Sequence, residues 1–266
     1  MTDSGYAAAG DLQMYYEIHG SGPPLVLLHG AYMNADNWGP LLPGLAEQRQ
    51  VFAFEARGHG RTADADAAIT YELMADDHAA AMRHLGIEEA DVVGYSMGAG
   101  TALQLAIRHP DLVRRLVVAS GSFRYDGMQP SAIAMFPTMT FDLFEGGPME
   151  AEYKRLAPDP DGFRTLFDKL KALDSTPFAW PEDDIRAIPA PTLIILGDSD
   201  VVTLEHAVEM YRLRGGGEMG DFDKPPASQL AVLPGTSHYM PPGYGVLDRH
   251  ELLLAVIRPF LDQSGH

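Results

Sequence analysis

The sequence predicts an α/β fold, a mostly parallel sheet with helices on both faces and one helical insertion. Short apolar, β-branched runs alternate with longer helical patterns over most of the chain, as when parallel strands are joined by crossover helices. The alternation stops between about 122 and 188, where apolar helical pieces are separated by Pro130, Pro137, Gly146, Pro148, Pro158, Pro160, Pro177 and Pro181. At 266 residues and 46% hydrophobic, the chain can bury one sizeable core with a single inserted subdomain.

In order, LQMYYEIHG predicts an early strand, and PLVLLHG at 24–30 a strand buried on both faces and closed by glycine. Residues 37–48 predict a helix, VFAFEARGHG at 51–60 a strand entering a glycine-rich loop, and 71–85 an amphipathic helix. A strand at 91–95, a helix at 97–109 and a strand at 116–120 lead into the insertion. Strands resume with TLIILGDSD from Thr192 and QLAVLPG from Gln229, with helices at 204–213 and about 248–261. The core is thus expected at 1–121 and 187–266, around an insertion at 122–186. RGGGEMGDFDKPPAS at 214–228 reads as a flexible surface excursion.

The formal net charge of −18, with Lys and Arg scattered singly, disfavours nucleic acid and anionic membrane surfaces as partners. Absence of cysteine removes disulfides and thiolate chemistry. No basic start followed by an apolar run opens the chain, and no run of about 18 apolar residues occurs. The expectation is a cytoplasmic protein, a monomer or homodimer, taking a small-molecule substrate.

Residues 94–100 read GYSMGAG, between a strand and a helix. A strand that turns directly into a helix holds its apical residue in a strained conformation, and the positions two away on either side must be small. Gly94 and Gly98 satisfy that demand and mark Ser96 as a nucleophile at an elbow. Met97 N–H then lies at a helix N-terminus, suited to an oxyanion. A serine hydroxyl needs a base and an orienting acid. His238, in a loop after a strand, and Asp200, after TLIILG, supply them in the chain order Ser, Asp, His. Asp198 competes with Asp200 but follows the strand glycine, where it can brace the turn through backbone N–H groups; Asp126 is a third, weaker alternative. His78, His84, His109, His206 and His250 fall in or at the ends of helices and read as surface or capping residues, and Asp76-Asp77-His78 as a solvated face. PDPDG at 158–162 reads as a turn, and no histidine pair has zinc spacing.

LLHGAYMNADNW, VFAFEARGHGRT, GYSMGAG, ILGDSDVV and LPGTSHY, in this order, resemble the α/β-hydrolase superfamily over nearly the whole chain. The branch it most resembles includes enol-lactone hydrolases, small carboxylesterases and cofactor-free haloperoxidases or perhydrolases. Glu55 and Thr62 depart from that branch, where Asp and Ser are usual. The resemblance implies an eight-stranded sheet, a helical cap inserted after the sixth strand, and a second oxyanion donor at Ala31 N–H. His29-Gly30 fits a tight turn that shapes the hole, and RGHG at 57–60 reads as scaffold. Tyr32, Phe123, Tyr125, Met135, Phe136, Met139, Trp180 and Tyr239 are expected to line an apolar pocket.

Together these features predict a serine hydrolase needing no cofactor or metal, acting on a small, neutral, moderately hydrophobic carboxylic ester or lactone. Perhydrolysis by the same triad, a lyase reaction and a ligand sensor with little turnover are the alternatives.

Overall fold

The computed structural model describes residues 3–221 and 225–263. Its eight strands are β1 (Asp3–Ala9), β2 (Leu12–His19), β3 (Pro24–Leu28), β4 (Gln50–Phe54), β5 (Ala90–Tyr95), β6 (Val113–Ala119), β7 (Thr192–Ser199) and β8 (Gln229–Ser237). They form one sheet in the order β1-β2-β4-β3-β5-β6-β7-β8. The first two strands are an antiparallel hairpin, and β2 joins β4 antiparallel; every pairing from β4 to β8 is parallel. The hairpin's first strand has no counterpart in the expectations above, because SGYAAA offers small residues instead of a β-branched run.

Period-two alternation sorts the strand residues into two layers. Val26, Leu28, Phe52, Phe54, Val92, Leu116, Val118, Ile194 and Leu196 face one side, under α2 (Tyr71–His84), α3 (Met97–Arg108) and α8 (Leu204–Leu213). Leu25, Leu27, Val51, Ala53, Val93, Val117, Leu193 and Ile195 face the other, under α1 (Leu41–Ala46) and α9 (His250–Leu261). Each fully buried side chain of this size contributes roughly 1.5–3 kcal/mol, so the two layers dominate the stabilisation.

The helix expected at 37–48 is shorter and preceded by a 3-10 turn at Ala35–Trp38. Gly39, at φ 47°, breaks the path, and the helix restarts after Pro40. The strand expected at 116–120 starts at Val113, because Arg114 and Arg115 hide its beginning. Arg114 is drawn in by Asp91 on the neighbouring strand, at 2.7 and 2.8 Å. Asp77 and His78, expected on a solvated face, are buried instead. Asp77 takes two hydrogen bonds from Arg57, at 2.7 and 3.0 Å, so RGHG and α2 are locked together by an internal ion pair. His206 likewise lies in the core, with its Nε2 3.2 Å from the Phe123 N–H. Of the excursion expected at 214–228, residues 222–224 lie outside the described residues. Its first residue is anchored, since the Arg214 guanidinium donates to the carbonyls of Ile185, Arg186 and Ala190 at 2.7–3.0 Å.

Between β6 and β7 the chain forms α4 (Pro130–Met135), α5 (Pro148–Leu156), α6 (Phe163–Ser175) and α7 (Glu182–Ala187). The segments entering and leaving this insertion are stitched together: Tyr125 N–H donates to Phe178 O at 2.8 Å and Trp180 N–H to Phe123 O at 3.0 Å. α6 lays Phe163, Leu166, Leu170 and Leu173 against Ala56, Ile69, Met74 and Met97. Ala56 follows β4 and Met97 follows β5, so the insertion covers the carboxyl edge of the sheet.

That edge is tight. A Cβ at Gly94 would overlap the Gly98 carbonyl, and one at Gly98 would overlap the Leu28 carbonyl at the end of β3. Gly98→Ala is therefore expected to destabilise by about 3 kcal/mol or more, since a backbone carbonyl cannot rotate away. Gly215→Ala, at φ 79° but in open space, should cost only about 1–2 kcal/mol. Urea unfolding of the two variants beside the wild type checks the difference.

Candidate active site

Ser96 stands at the apex between β5 and α3 with φ 56° and ψ −117°, a left-handed backbone that an L residue adopts only under constraint. The constraint is the pair of glycine contacts just described. Its side chain remains partly exposed while its neighbours Tyr95 and Met97 are buried.

His238 follows β8, and its Nε2 is 2.8 Å from Ser96 Oγ. Its Nδ1 is 2.7 Å from Asp200 Oδ1. With Nδ1–H donating to the carboxylate, Nε2 is left as the acceptor for the serine hydroxyl. Tyr95 fixes the histidine from beneath, its hydroxyl donating to the His238 carbonyl at 2.7 Å and its ring lying 5.5 Å from the imidazole.

Asp200 is buried. Burial pushes its pKa up, but hydrogen bonds from His238 and Ser120, the His238 charge and the Gly197 N–H outweigh it, and the carboxyl is held below its usual range. Ser120 Oγ donates at 2.6 Å, Gly197 N–H at 3.1 Å and Val202 N–H at 3.2 Å. Asp198 instead crosses to the loop after β8, accepting from Gly235 N–H at 2.8 Å and Thr236 N–H at 3.0 Å. It thereby braces the turn that presents His238. Asp126 points outward beside Arg124, at 2.9 Å. The two aspartates that sequence order alone leaves in competition are thus divided, one onto the histidine ring and one onto its loop.

The Met97 N–H opens α3 and has no intrahelical acceptor by position. Ala31 follows the His29-Gly30 turn, whose neighbour Leu28 is pressed against Gly98. Among the described residues, neither N–H meets a protein acceptor. The turn itself is held by His29: its Nδ1 is 2.8 Å from Gly30 O, and its Nε2 accepts from Ala56 N–H at 3.0 Å. Burial lowers the His29 pKa to about 4, so the ring stays neutral and can play both parts.

The residues expected around an apolar pocket take different places. Tyr32 stacks on Phe144 at 4.9 Å, with its hydroxyl buried and unpartnered among the described residues. Phe123 packs 4.5 Å from the His206 ring inside the core, and Trp180 is buried between Tyr71, at 5.5 Å, and Phe178, at 5.1 Å. Tyr125 leans on Phe178 at 6.3 Å. Phe136 and Met139 are half-buried, while Met135 and Tyr239 are exposed.

A scan against family models matches residues 23–152 to the alpha/beta hydrolase fold. The 2-hydroxymuconate semialdehyde hydrolase of Pseudomonas sp. (strain CF600) is 31% identical over 204 residues, covering 69% of this chain and 72% of that relative. The chain belongs to the α/β-hydrolase family. A relative from Azorhizobium caulinodans named for carbamate hydrolysis is 36% identical over 122 residues, about half (46%) of each chain. The meta-cleavage product hydrolase of Pseudomonas fluorescens IP01 superposes with a TM-score of 0.75 over 98% of this chain and 97% of that one, at 23% identity, and so shares the fold. These relatives support a hydrolase.

One group in this region has no counterpart in the sequence reading. Asp174, in the last turn of α6, has its carboxyl pushed up to about 7 by burial, with His238 pulling weakly the other way. Its signal is in the sequence after all: Phe163, Phe167, Leu170 and Asp174 fall at helical spacing on one stripe, so the acid ends an apolar face.

A raised carboxyl pKa means that the folded protein keeps a proton which the unfolded chain loses near its ordinary value, so this acid costs stability as pH climbs from about 4 and reaches its full cost above about 7. Asp174→Asn should therefore melt higher than wild type at about pH 8, with the gap shrinking at about pH 4. Thermal melts of both proteins across that range check it, and a pH-independent gap would contradict the burial of this group.

Proposed function

We propose that the chain is a serine hydrolase that cleaves a small, moderately hydrophobic carboxylic ester or lactone through an acyl-enzyme. The observation that carries this reading is the unbroken relay from Ser96 Oγ through His238 to Asp200, at 2.8 and 2.7 Å. The family membership and the Ser, Asp, His chain order support it.

In the first step Ser96 Oγ attacks the substrate carbonyl carbon while His238 Nε2 takes the hydroxyl proton. Asp200 stabilises the resulting imidazolium and keeps Nε2 aimed at the serine. The carbonyl oxygen becomes an oxyanion, held by the N–H groups of Met97 and Ala31 and favoured by the positive end of α3. Collapse of the tetrahedral intermediate breaks the ester C–O bond, and His238 returns its proton to the leaving alkoxide oxygen. A water then enters, gives a proton to His238 and attacks the acyl carbon; the second collapse frees the acid and restores Ser96. In a lactone the leaving alcohol remains tethered to the acyl group.

The insertion acts in this scheme as a cap. α6 closes over the elbow through its contact with Met97, and a water-poor site strengthens each charge interaction of the relay. Tyr32, beside Phe144 and Phe163, gives the cap an aromatic inner wall.

Hydrolysis of a chain-length series of p-nitrophenyl esters and a set of lactones tests the reading. Ser96→Ala should lower kcat/KM by about a thousandfold or more, and Asp200→Asn by a comparable factor with the fold intact. Equal turnover by wild type and Ser96→Ala would sink it.

A further inference from the structure

Ala31, whose N–H is proposed to hold the oxyanion, is followed by a tyrosine that neither backbone nor packing explains. Met33 N–H donates to Gly30 O at 3.3 Å, which closes a four-residue turn with Ala31 and Tyr32 at its centre. Tyr32 takes φ 61° there. That third turn position favours glycine or asparagine, because a side chain in the left-handed region crowds the backbone.

The ring itself is held by the insertion. Phe144 stacks on it at 4.9 Å, and Phe163, which opens α6, meets it edge-on at 6.2 Å. It packs on the same apolar cluster as Ala31, Ala56, Met97 and Leu166, so it borders the elbow. A phenylalanine would make all of these ring contacts. The hydroxyl adds a buried oxygen that meets no hydrogen-bond partner among the described residues, and a buried donor left without a partner is costly. Burial raises the pKa of the phenol, so the group stays protonated and able to donate. A disfavoured backbone and an unanswered donor on one residue point to a partner from outside the chain.

The sheet order gives that partner a direction. β3 adjoins one side of β5, while β6, β7 and β8 lie on the other. Tyr32 follows β3 and His238 follows β8, so the two flank Ser96 from opposite sides. The leaving oxygen of an ester must lie within reach of His238 Nε2, which returns its proton, and the acyl chain is thereby directed toward Tyr32. The surroundings there are aromatic and aliphatic, and a charged oxygen would lose its hydration among them without a counter-ion. The net charge of −18 also repels anions. An uncharged acceptor suits the hydroxyl.

We propose that Tyr32 is a specificity-determining residue whose hydroxyl donates a hydrogen bond to an uncharged keto or ether oxygen on the acyl chain of the substrate, a few bonds from the scissile carbonyl. This rests on the serine-hydrolase reading above. An all-carbon acyl chain leaves the donor unanswered, whereas an oxygen-bearing chain satisfies it without disturbing the aromatic wall.

The test uses p-nitrophenyl esters in matched pairs, methoxyacetate beside butanoate and 3-methoxypropanoate beside pentanoate, in which an oxygen replaces one CH2. Each kcat/KM is divided by that ester's spontaneous rate. Wild type should prefer the oxygen-bearing member of at least one pair, and Tyr32→Phe should reduce that preference by about 3- to 10-fold, the worth of a neutral hydrogen bond. No wild-type preference would mean a hydroxyl met by water alone and overturn the proposal, as would an equal loss on both members of the pair. Thermal melting gives a readout independent of turnover: Tyr32→Phe should melt no lower than wild type, and a lower melting temperature would reveal a partner within the chain and overturn the assignment. If every ester is inert, the serine-hydrolase reading falls, and calorimetry on Ser96→Ala protein with the anilides of the same four acids decides the matter. Tighter binding of an oxygen-bearing anilide that Tyr32→Phe removes then supports the proposal, and equal binding within both pairs overturns it.

Discussion

The close approach of α3 to the ends of β5 and β3 is the constraint on which the rest of this structure depends. Gly98 lies against the Leu28 carbonyl and Gly94 against the Gly98 carbonyl, with no room for a Cβ at either. That contact forces Ser96 to φ 56° and lifts its hydroxyl out of the sheet. It also brings the first N–H of α3 beside the turn that carries Ala31. One steric fact thus sets Ser96 and both N–H groups proposed as oxyanion donors. The cost of the strained serine, on the order of 1–3 kcal/mol, is borne by the packed strands on either side.

The rest of the site is held by braces behind the relay. Asp198 fastens the loop of His238 to the end of β7, Tyr95 holds the same loop from below, and Ser120 fixes Asp200. Ser120 itself has φ 55°, a second strained serine at the carboxyl edge. The three strand ends after β5, β7 and β8 contribute one side chain each to the relay, so small shifts between strands would translate directly into its two hydrogen bonds. A parallel sheet packed on both faces resists such shifts, which is why the relay can be built from residues more than a hundred positions apart.

Most of this was legible in the sequence because the relevant signals are local. Glycine two residues either side of a serine reports a steric demand within five residues, and an apolar run ending in HG or GDSD reports a strand end. Asp198, directly after a strand glycine, is placed locally to serve backbone N–H groups and meets those of Gly235 and Thr236, while Asp200 meets the His238 ring. The failures are non-local. Asp77 and His78 read as a solvated face because the Arg57 that neutralises Asp77 lies twenty residues away in a glycine-rich loop. His206 read as a surface histidine because its partners, Ser122 and the Phe123 N–H, enter from the other side of the insertion. The first strand escaped notice because SGYAAA pairs with β2 through its backbone and offers few large side chains.

The same non-local logic separates two aspartates that look alike in sequence. Asp77 and Asp174 both interrupt the buried face of a helix. Asp77 is answered by a guanidinium from the chain, and removing one partner of such a buried pair typically costs about 3–5 kcal/mol. Among the described residues Asp174 has no such answer, and it lies at the helix end where the dipole opposes a negative charge. Its charged form has no such partner, so burial holds the proton on the acid to higher pH.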